Sequence, residues 1–98
     1  MTPGTTPTHY FHLPQGIEAK KLRITYEQGG KIVLQKETKD CAIKENSVEV
    51  KLSQADTLRF DSNTVVRIQL KLLTTGGDAL VSNLIKKTTN IVLDKGEI

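Results

Sequence analysis

The sequence is poor in the residues that usually build reactive or stapled sites. It has one cysteine, no tryptophan and, as its only aromatic rings besides histidine, two tyrosines and two phenylalanines. A lone cysteine cannot form an internal disulfide, so a disulfide-stapled extracellular scaffold is excluded. Neither neighbour of Cys41, Asp40 or Ala42, carries the positive charge that activates a thiolate. We therefore predict a buried structural residue at Cys41.

Long apolar runs are also missing. None approaches the roughly 18 residues that a membrane-spanning helix needs. Residues 1–7, rich in Thr, Pro and Gly, lack the basic start and apolar stretch of a secretory signal. We expect this segment to be a flexible N-terminal arm, residues 8–98 to form one domain, and the protein to be cytoplasmic.

Charge is mildly positive and evenly spread. The chain has 14 basic and 11 acidic residues, a net charge of +3, with both signs interleaved along its length. That pattern favours solubility and protection of strand edges over a phosphate-binding stripe. Tyr10 is the one ring we predict to be exposed, which argues against base stacking and against a carbohydrate-binding row of aromatics.

Apolar residues alternate with polar ones in several segments, as in Val48, Val50 and Leu52. This period of two is typical of half-buried strands. Strands are predicted near 8–13, 20–27, 31–38, 41–43, 47–52, 64–74, 79–82 and 85–93. Their regular spacing predicts an all-β fold, an antiparallel β-sandwich of about seven or eight strands with immunoglobulin-like or related Greek-key topology. A small barrel is the alternative.

Glycine pairs and a capping pattern predict the connections. A three-residue loop at Gln28-Gly29-Gly30 keeps two apolar sets on one face, with Tyr26 opposite Ile32 and Ile24 opposite Leu34. The same argument at Gly76-Gly77 pairs Leu72 with Leu80. Ser53 and Asp56 are spaced to cap one short helical turn over 53–58, after which Phe60 returns to the core.

Catalytic and metal-binding patterns are weak. His9 and His12 are three residues apart in a predicted strand, so their side chains leave opposite faces and cannot share a metal. Asp61 and Asn63 match only a fragment of a calcium loop. No pattern of nucleophile and base is present either. We predict no enzyme, no cofactor and no metal.

One strand face is a candidate site. If Val66, Ile68, Leu70 and Leu72 point inward, the opposite row has apolar ends and a polar middle, which suits a subunit contact. The residues of this row are Val65, Arg67, Gln69, Lys71 and Leu73. An ordinary solvated sheet face is the alternative. The partners that we predict are protein subunits, including a second copy.

Two resemblances add expectations. Leu52-Ser53-Gln54-Ala55-Asp56-Thr57 resembles the corner before the sixth strand of immunoglobulin variable domains, although Leu58-Arg59-Phe60 stands where that family has Tyr-x-Cys. A longer pattern resembles short uncharacterised proteins encoded among the structural genes of prophages in Gram-positive bacteria. It comprises Phe11-x-Leu13-Pro14, Ile24-Thr25-Tyr26-x-Gln28, residues 48–60, Ile68-Gln69-Leu70 and Ser82-Asn83.

The second resemblance implies a non-enzymatic structural or assembly component of a phage or prophage virion that acts through protein–protein contacts. Such a component is expected in the cytoplasm before it assembles into the particle. The alternative function is a ligand-binding module for nucleic acid or a surface glycan. The mild positive charge motivates the first ligand, and the sandwich fold motivates the second by analogy.

Overall fold

The computed structural model describes residues 1–82, 84–94 and 96–98. Asn83, which closes the prophage-like pattern, lies outside the described residues. The described chain forms the predicted antiparallel β-sandwich. Its strands are β1 (Thr8–His12), β2 (Ala19–Gln28), β3 (Lys31–Glu37), β4 (Cys41–Lys44), β5 (Ser47–Lys51), β6 (Val65–Thr74), β7 (Ala79–Val81) and β8 (Ile85–Thr88). A 3₁₀ turn spans Thr38–Asp40, and the helical turn α1 spans Gln54–Thr57.

The strands form two sheets. The smaller sheet has the order β1-β5-β4. The larger has the order β3-β2-β6-β7, and β8 also pairs with β6. β7 and β8 lie along successive stretches of β6. β1, β5 and β4 match strands B, E and D of the immunoglobulin order, and the larger sheet matches C′, C, F and G. The described residues supply no strand A.

Alternating side chains from both sheets close the core. The inward sets include Leu22, Ile24 and Tyr26 on β2 and Val66, Ile68, Leu70 and Leu72 on β6, as the sequence period predicts. Tyr26 and Phe60 pack edge to face with ring centroids 5.8 Å apart, a favourable arrangement for aromatic rings. Burial raises the pKa of the Tyr26 phenol well above its usual range. Its hydroxyl lies 2.7 Å from Nδ1 of His9 at the core edge.

The β2–β3 hairpin differs from the prediction. The loop has two residues, Gly29 and Gly30, with φ of 58° and 84°. Both positive angles fit a two-residue turn whose twist matches the flanking strands. A bulge then changes the register, so Tyr26 lies opposite Leu34 and Glu27 opposite Ile32. Leu34 therefore points inward as predicted, but the prediction for Ile32 is wrong, and that side chain is exposed.

Other connections match the sequence-based expectations. Leu72 pairs with Leu80 across the β6–β7 connection. Ser53 Oγ accepts a hydrogen bond from the Asp56 N–H, and the Asp56 carboxylate accepts one from the Ser53 N–H, which makes a reciprocal capping box. The last strand is shorter than predicted because β8 ends at Thr88. Thr89 is then buried, and its hydroxyl donates to Asp61 O at 2.5 Å.

Residues 1–7 lie against one end of the sandwich. The Gly4 N–H donates to Thr57 Oγ1 at 2.9 Å, and the same hydroxyl donates to Thr5 O at 2.8 Å. The Leu52 N–H donates to Pro7 O at 2.9 Å. The segment is therefore docked in the structure, while its flexibility stays a prediction.

Cys41 is half-buried rather than buried. Burial raises the pKa of its thiol, and the neighbouring Asp40 adds to the effect. Among residues 1–82, 84–94 and 96–98, no helix combines the length and the apolar character needed to cross a bilayer.

Candidate functional site

The candidate row on β6 lies on the outer face of the larger sheet. Val65, Arg67 and Lys71 are exposed, whereas Gln69 and Leu73 are half-buried, and the residues between them are buried. The alternation of the strand thus turns the row outward, as predicted. Its role as a partner contact stays a prediction.

Two members of the row already have partners within the domain. The Arg67 guanidinium donates to the Glu27 carboxylate on β2. Hydrogen bonds from Arg67 and the Gly30 N–H lower the pKa of that carboxyl. The Gln69 amide donates to Ser82 O at 3.1 Å. The middle of the row is therefore held in place by cross-strand contacts.

The end of the outer face near the β6–β7 connection is basic. Arg23 on β2 lies directly opposite Lys71 on β6, and Lys21 lies opposite Leu73. Together with Lys20 and Lys39, these side chains line a shallow hollow of about 810 Å³. We call Lys20, Lys21, Arg23, Lys39 and Lys71 the basic end.

One carboxylate lies beside the basic end. Glu37 is 3.7 Å from Arg23, and both side chains are 56% exposed, so their ion pair is weak. Val81 pairs with Lys71 from the other side and is exposed. The basic end can therefore bind an acidic surface that also presents an apolar side chain.

Sequence reasoning did not find the basic end. The five residues come from three separate stretches of the chain, and only Lys20, Lys21 and Arg23 are close together in the sequence. The alternation of β2 turns Lys21 and Arg23 outward, which was a usable signal. Only the pairing register of β2 with β6 brings them beside Lys71.

The histidines lie where the strand geometry placed them. His9 points toward the core edge, and His12 is exposed on the opposite side of β1. Burial, the nearby N-terminal amine and Lys87 lower the pKa of His9. Within the described part of the chain, no three His, Cys, Asp or Glu side chains form a group able to hold a metal ion.

The two sheets are separated by a groove where β1 faces β7 and β8. We call it the open groove. It has a volume of about 580 Å³ and a mainly apolar lining that includes Phe11, Leu13, Leu72, Leu80 and Ile85. The shape suits an extended apolar segment.

Comparisons with known proteins add one likeness. No family model matches the chain. No curated protein matches it either. Among solved structures it is similar to the V domain of amphioxus IgVJ-C2, with 14% sequence identity, coverage of 92% of this chain and 97% of that chain, and a TM-score of 0.37. The immunoglobulin-like arrangement described above follows from this chain's own strand order.

Proposed function

We propose that this protein is a non-enzymatic structural or assembly protein that docks the outer face of its larger sheet on another protein subunit. Our proposal for its setting is a phage or prophage particle, and the sequence pattern resembling prophage proteins supports it. The observation that carries the docking role is the juxtaposition of Arg23 and Lys71 with the exposed Val81 on neighbouring strands.

The charge of the outer face favours an acidic partner. Its outward basic residues are Lys21, Arg23, Arg67, Lys71 and Lys86, and its outward acidic residues are Glu27 and Glu37. Because the Glu27 charge is already satisfied by Arg67, the unmatched cations concentrate at the basic end. Complementary charge accelerates encounter and fixes orientation, while nearby apolar side chains supply the buried part of an interface.

A matched pair of charge reversals tests this role. Arg23→Glu with Lys71→Glu removes the basic end, while Lys51→Glu with Arg59→Glu makes the same charge change at exposed positions elsewhere. A tagged chain is co-expressed with the proteins encoded beside it, and complexes are measured by light scattering after gel filtration. We expect a stable complex for the wild type and the control. The affinity of the basic-end variant should be lower than that of the wild type by roughly tenfold or more.

A second test uses the apolar ends of the predicted row. Glu substitutions at both Val65 and Leu73 are expected to weaken the same complex if the contact runs the length of the face. The proposal would be contradicted if the wild type formed a complex neither with the neighbouring gene products nor with a second copy. Equal loss in the Lys51/Arg59 control would contradict the assignment to this face.

The basic end also favours a second candidate function, the binding of a polyanion such as single-stranded nucleic acid. Neutralising several phosphates makes affinity fall steeply as salt rises. Anisotropy of a labelled oligonucleotide, measured over a salt series, distinguishes the two candidates. Binding at low salt that is lost in the Arg23/Lys71 variant supports this second candidate, and absence of binding at low salt rejects it.

A further inference from the structure

We infer that β1 accepts an added strand from a second copy of this chain, namely the exposed segment Ile91-Val92-Leu93-Asp94, whose apolar side chains fill the open groove. This contact lies on a different surface from the docking face proposed above. The two can therefore fail or succeed independently.

The first observation is the free edge of β1. Within the described residues β1 pairs with one strand, β5. The Leu52 N–H donates to Pro7 O and the Leu13 N–H to Asn46 O. In antiparallel pairing such hydrogen-bonded positions alternate, so the backbone groups of Thr8, Tyr10 and His12 face the free edge. A strand edge of this kind is a template for another chain.

The second observation is the lining of the groove beside that edge. Leu80 lies opposite the inward-facing Leu72, and Ile85 lies opposite the inward-facing Ile68. Phe11 faces them from β1. An extended strand presents every second side chain to one face. A strand added to β1 would therefore place alternate side chains into an apolar space.

The third observation is the segment itself. Ile91 is 70% exposed and Leu93 is 99% exposed. They are two residues apart, so in an extended conformation they share a face, and β-branched Ile91 and Val92 favour strand geometry. These two side chains match the alternate apolar positions that the open groove accepts.

The path of the chain favours a second copy over the molecule's own groove. β8 is antiparallel to β6, so it runs toward the end of the domain that holds Met1 and Thr2. Buried Thr89 fixes the chain there, and the Asn90 N–H donates to Met1 O at 3.0 Å. The segment thus starts at the end of the domain and runs away from its own groove, while the groove of a second copy can receive it. Repetition of such an exchange makes a dimer or a chain of subunits.

The test uses the whole protein and a matched variant. Sedimentation velocity over a concentration series is expected to show self-association of the wild type. Ile91→Asp with Leu93→Asp is expected to remain monomeric, while Arg23→Glu with Lys71→Glu associates as the wild type does. That last result separates this inference from the proposed docking face.

A peptide of residues 89–94 identifies the acceptor. Added to the I91D/L93D protein, it is expected to bind and to slow hydrogen exchange of the Tyr10 and His12 amides. Leu80→Asp should weaken its binding by roughly tenfold or more. Ala79→Asp, on the neighbouring outward position outside the groove, should leave it unchanged. The same peptide with Asp at both apolar positions should not bind.

Three results would overturn the inference. The first is a wild type that stays monomeric together with a peptide that does not bind. The second is peptide protection of amides on β3 or β4 instead of β1. The third is a monomeric wild type in which the Tyr10 and His12 amides are protected from hydrogen exchange, together with loss of that protection in I91D/L93D. In that case the segment would occupy the groove of its own molecule.

Discussion

The two lateral sides of this sandwich are finished in different ways. On one side the 3₁₀ turn Thr38–Asp40 carries the chain from β3 directly to β4, and Lys36 Nζ lies 2.9 Å from the Asp56 carboxylate. On the other side β1 faces β7 and β8 across the open groove. We call these the closed side and the open side.

The difference shows how a sandwich protects its inter-sheet space. A crossing connection and a partly buried ion pair cover the closed side, and Thr38 Oγ1 accepts from the Leu22 N–H at 3.0 Å. On the open side, the segment before β1 reaches β8 only at one end of the sandwich, where Met1 and Thr2 bond to Thr88 and Asn90 among the described residues. The open side therefore keeps apolar surface and strand backbone available, whereas the closed side behaves as part of the core.

The largest expected effect sharpens this comparison. Leu34→Ala on the closed side, at a position 4% exposed, should lower the free energy of unfolding by about 3 kcal/mol. Leu80→Ala on the open side, at 38% exposure, should cost only about 1 kcal/mol, because part of its apolar area stays in water and its truncation leaves no enclosed cavity. Urea titration measures both. Equal costs would show that the open side is closed in solution.

The ion pair of the closed side comes next. Burial acts to raise the pKa of Asp56, but hydrogen bonds from Lys36 and Ser53 outweigh it and lower the pKa. The side chains of Lys36 and Asp56 are only 17% and 18% exposed. Asp56→Ala removes the pair and the capping box together, so we expect a loss of about 2 kcal/mol in urea.

The pH dependence and a control follow from the same carboxylate. The pKa of Asp56 is lowered in the folded protein, so its carboxylate adds fully to the free energy of unfolding above its ordinary pKa of 3.8. This stabilisation is lost as pH falls through the folded pKa. Glu37→Ala, whose pair with Arg23 is exposed, should cost under about 0.5 kcal/mol. A cost at Glu37 as large as that at Asp56 would contradict the special role of the partly buried Lys36–Asp56 pair.

A smaller effect is expected at the end that joins the two sides. Thr57→Val removes the hydroxyl that binds Gly4 and Thr5, which should cost about 1 kcal/mol and expose the Gly4 amide to exchange. Hydrogen exchange by NMR measures this directly. An unprotected Gly4 amide already in the wild type would instead support the predicted flexible arm of residues 1–7.

The smallest effect concerns His9 on the open side. Burial, the N-terminal amine and Lys87 lower its pKa below the ordinary 6.5. The unfolded chain then binds the proton at higher pH than the folded one, so stability is full above pH 6.5 and declines as pH falls through the folded pKa. His9→Gln should flatten this decline in urea titrations at successive pH values, while His12→Gln, on the same strand, should keep it.

Much of the fold could be predicted because the alternation of residues within a single strand shows which of its side chains are buried. Val48, Val50 and Leu52 alternate with polar residues, and the structure buries all three. The Ser53–Asp56 cap is equally local. The β2–β3 bulge was missed because its extra residue, Val33, is decided by how two strands twist together and not by the residues of either one.

The candidate site was only partly predictable for the same reason. The outward direction of Arg67 and Lys71 follows from the alternation of β6 alone. Their neighbours, Glu27 and Arg23, lie on another strand forty or more residues earlier in the sequence. Register is set by the packing of all inward side chains at once.

The sequence by itself determined the class of structure, since a period of two dictates strands with one apolar side each. Tertiary structure alone decided which cations meet at the basic end and that one side of the sandwich stays open, because both depend on which edges come to face one another. The strand that we propose for the apolar Ile91 and Leu93 likewise depends on that open edge, which no local sequence pattern reveals.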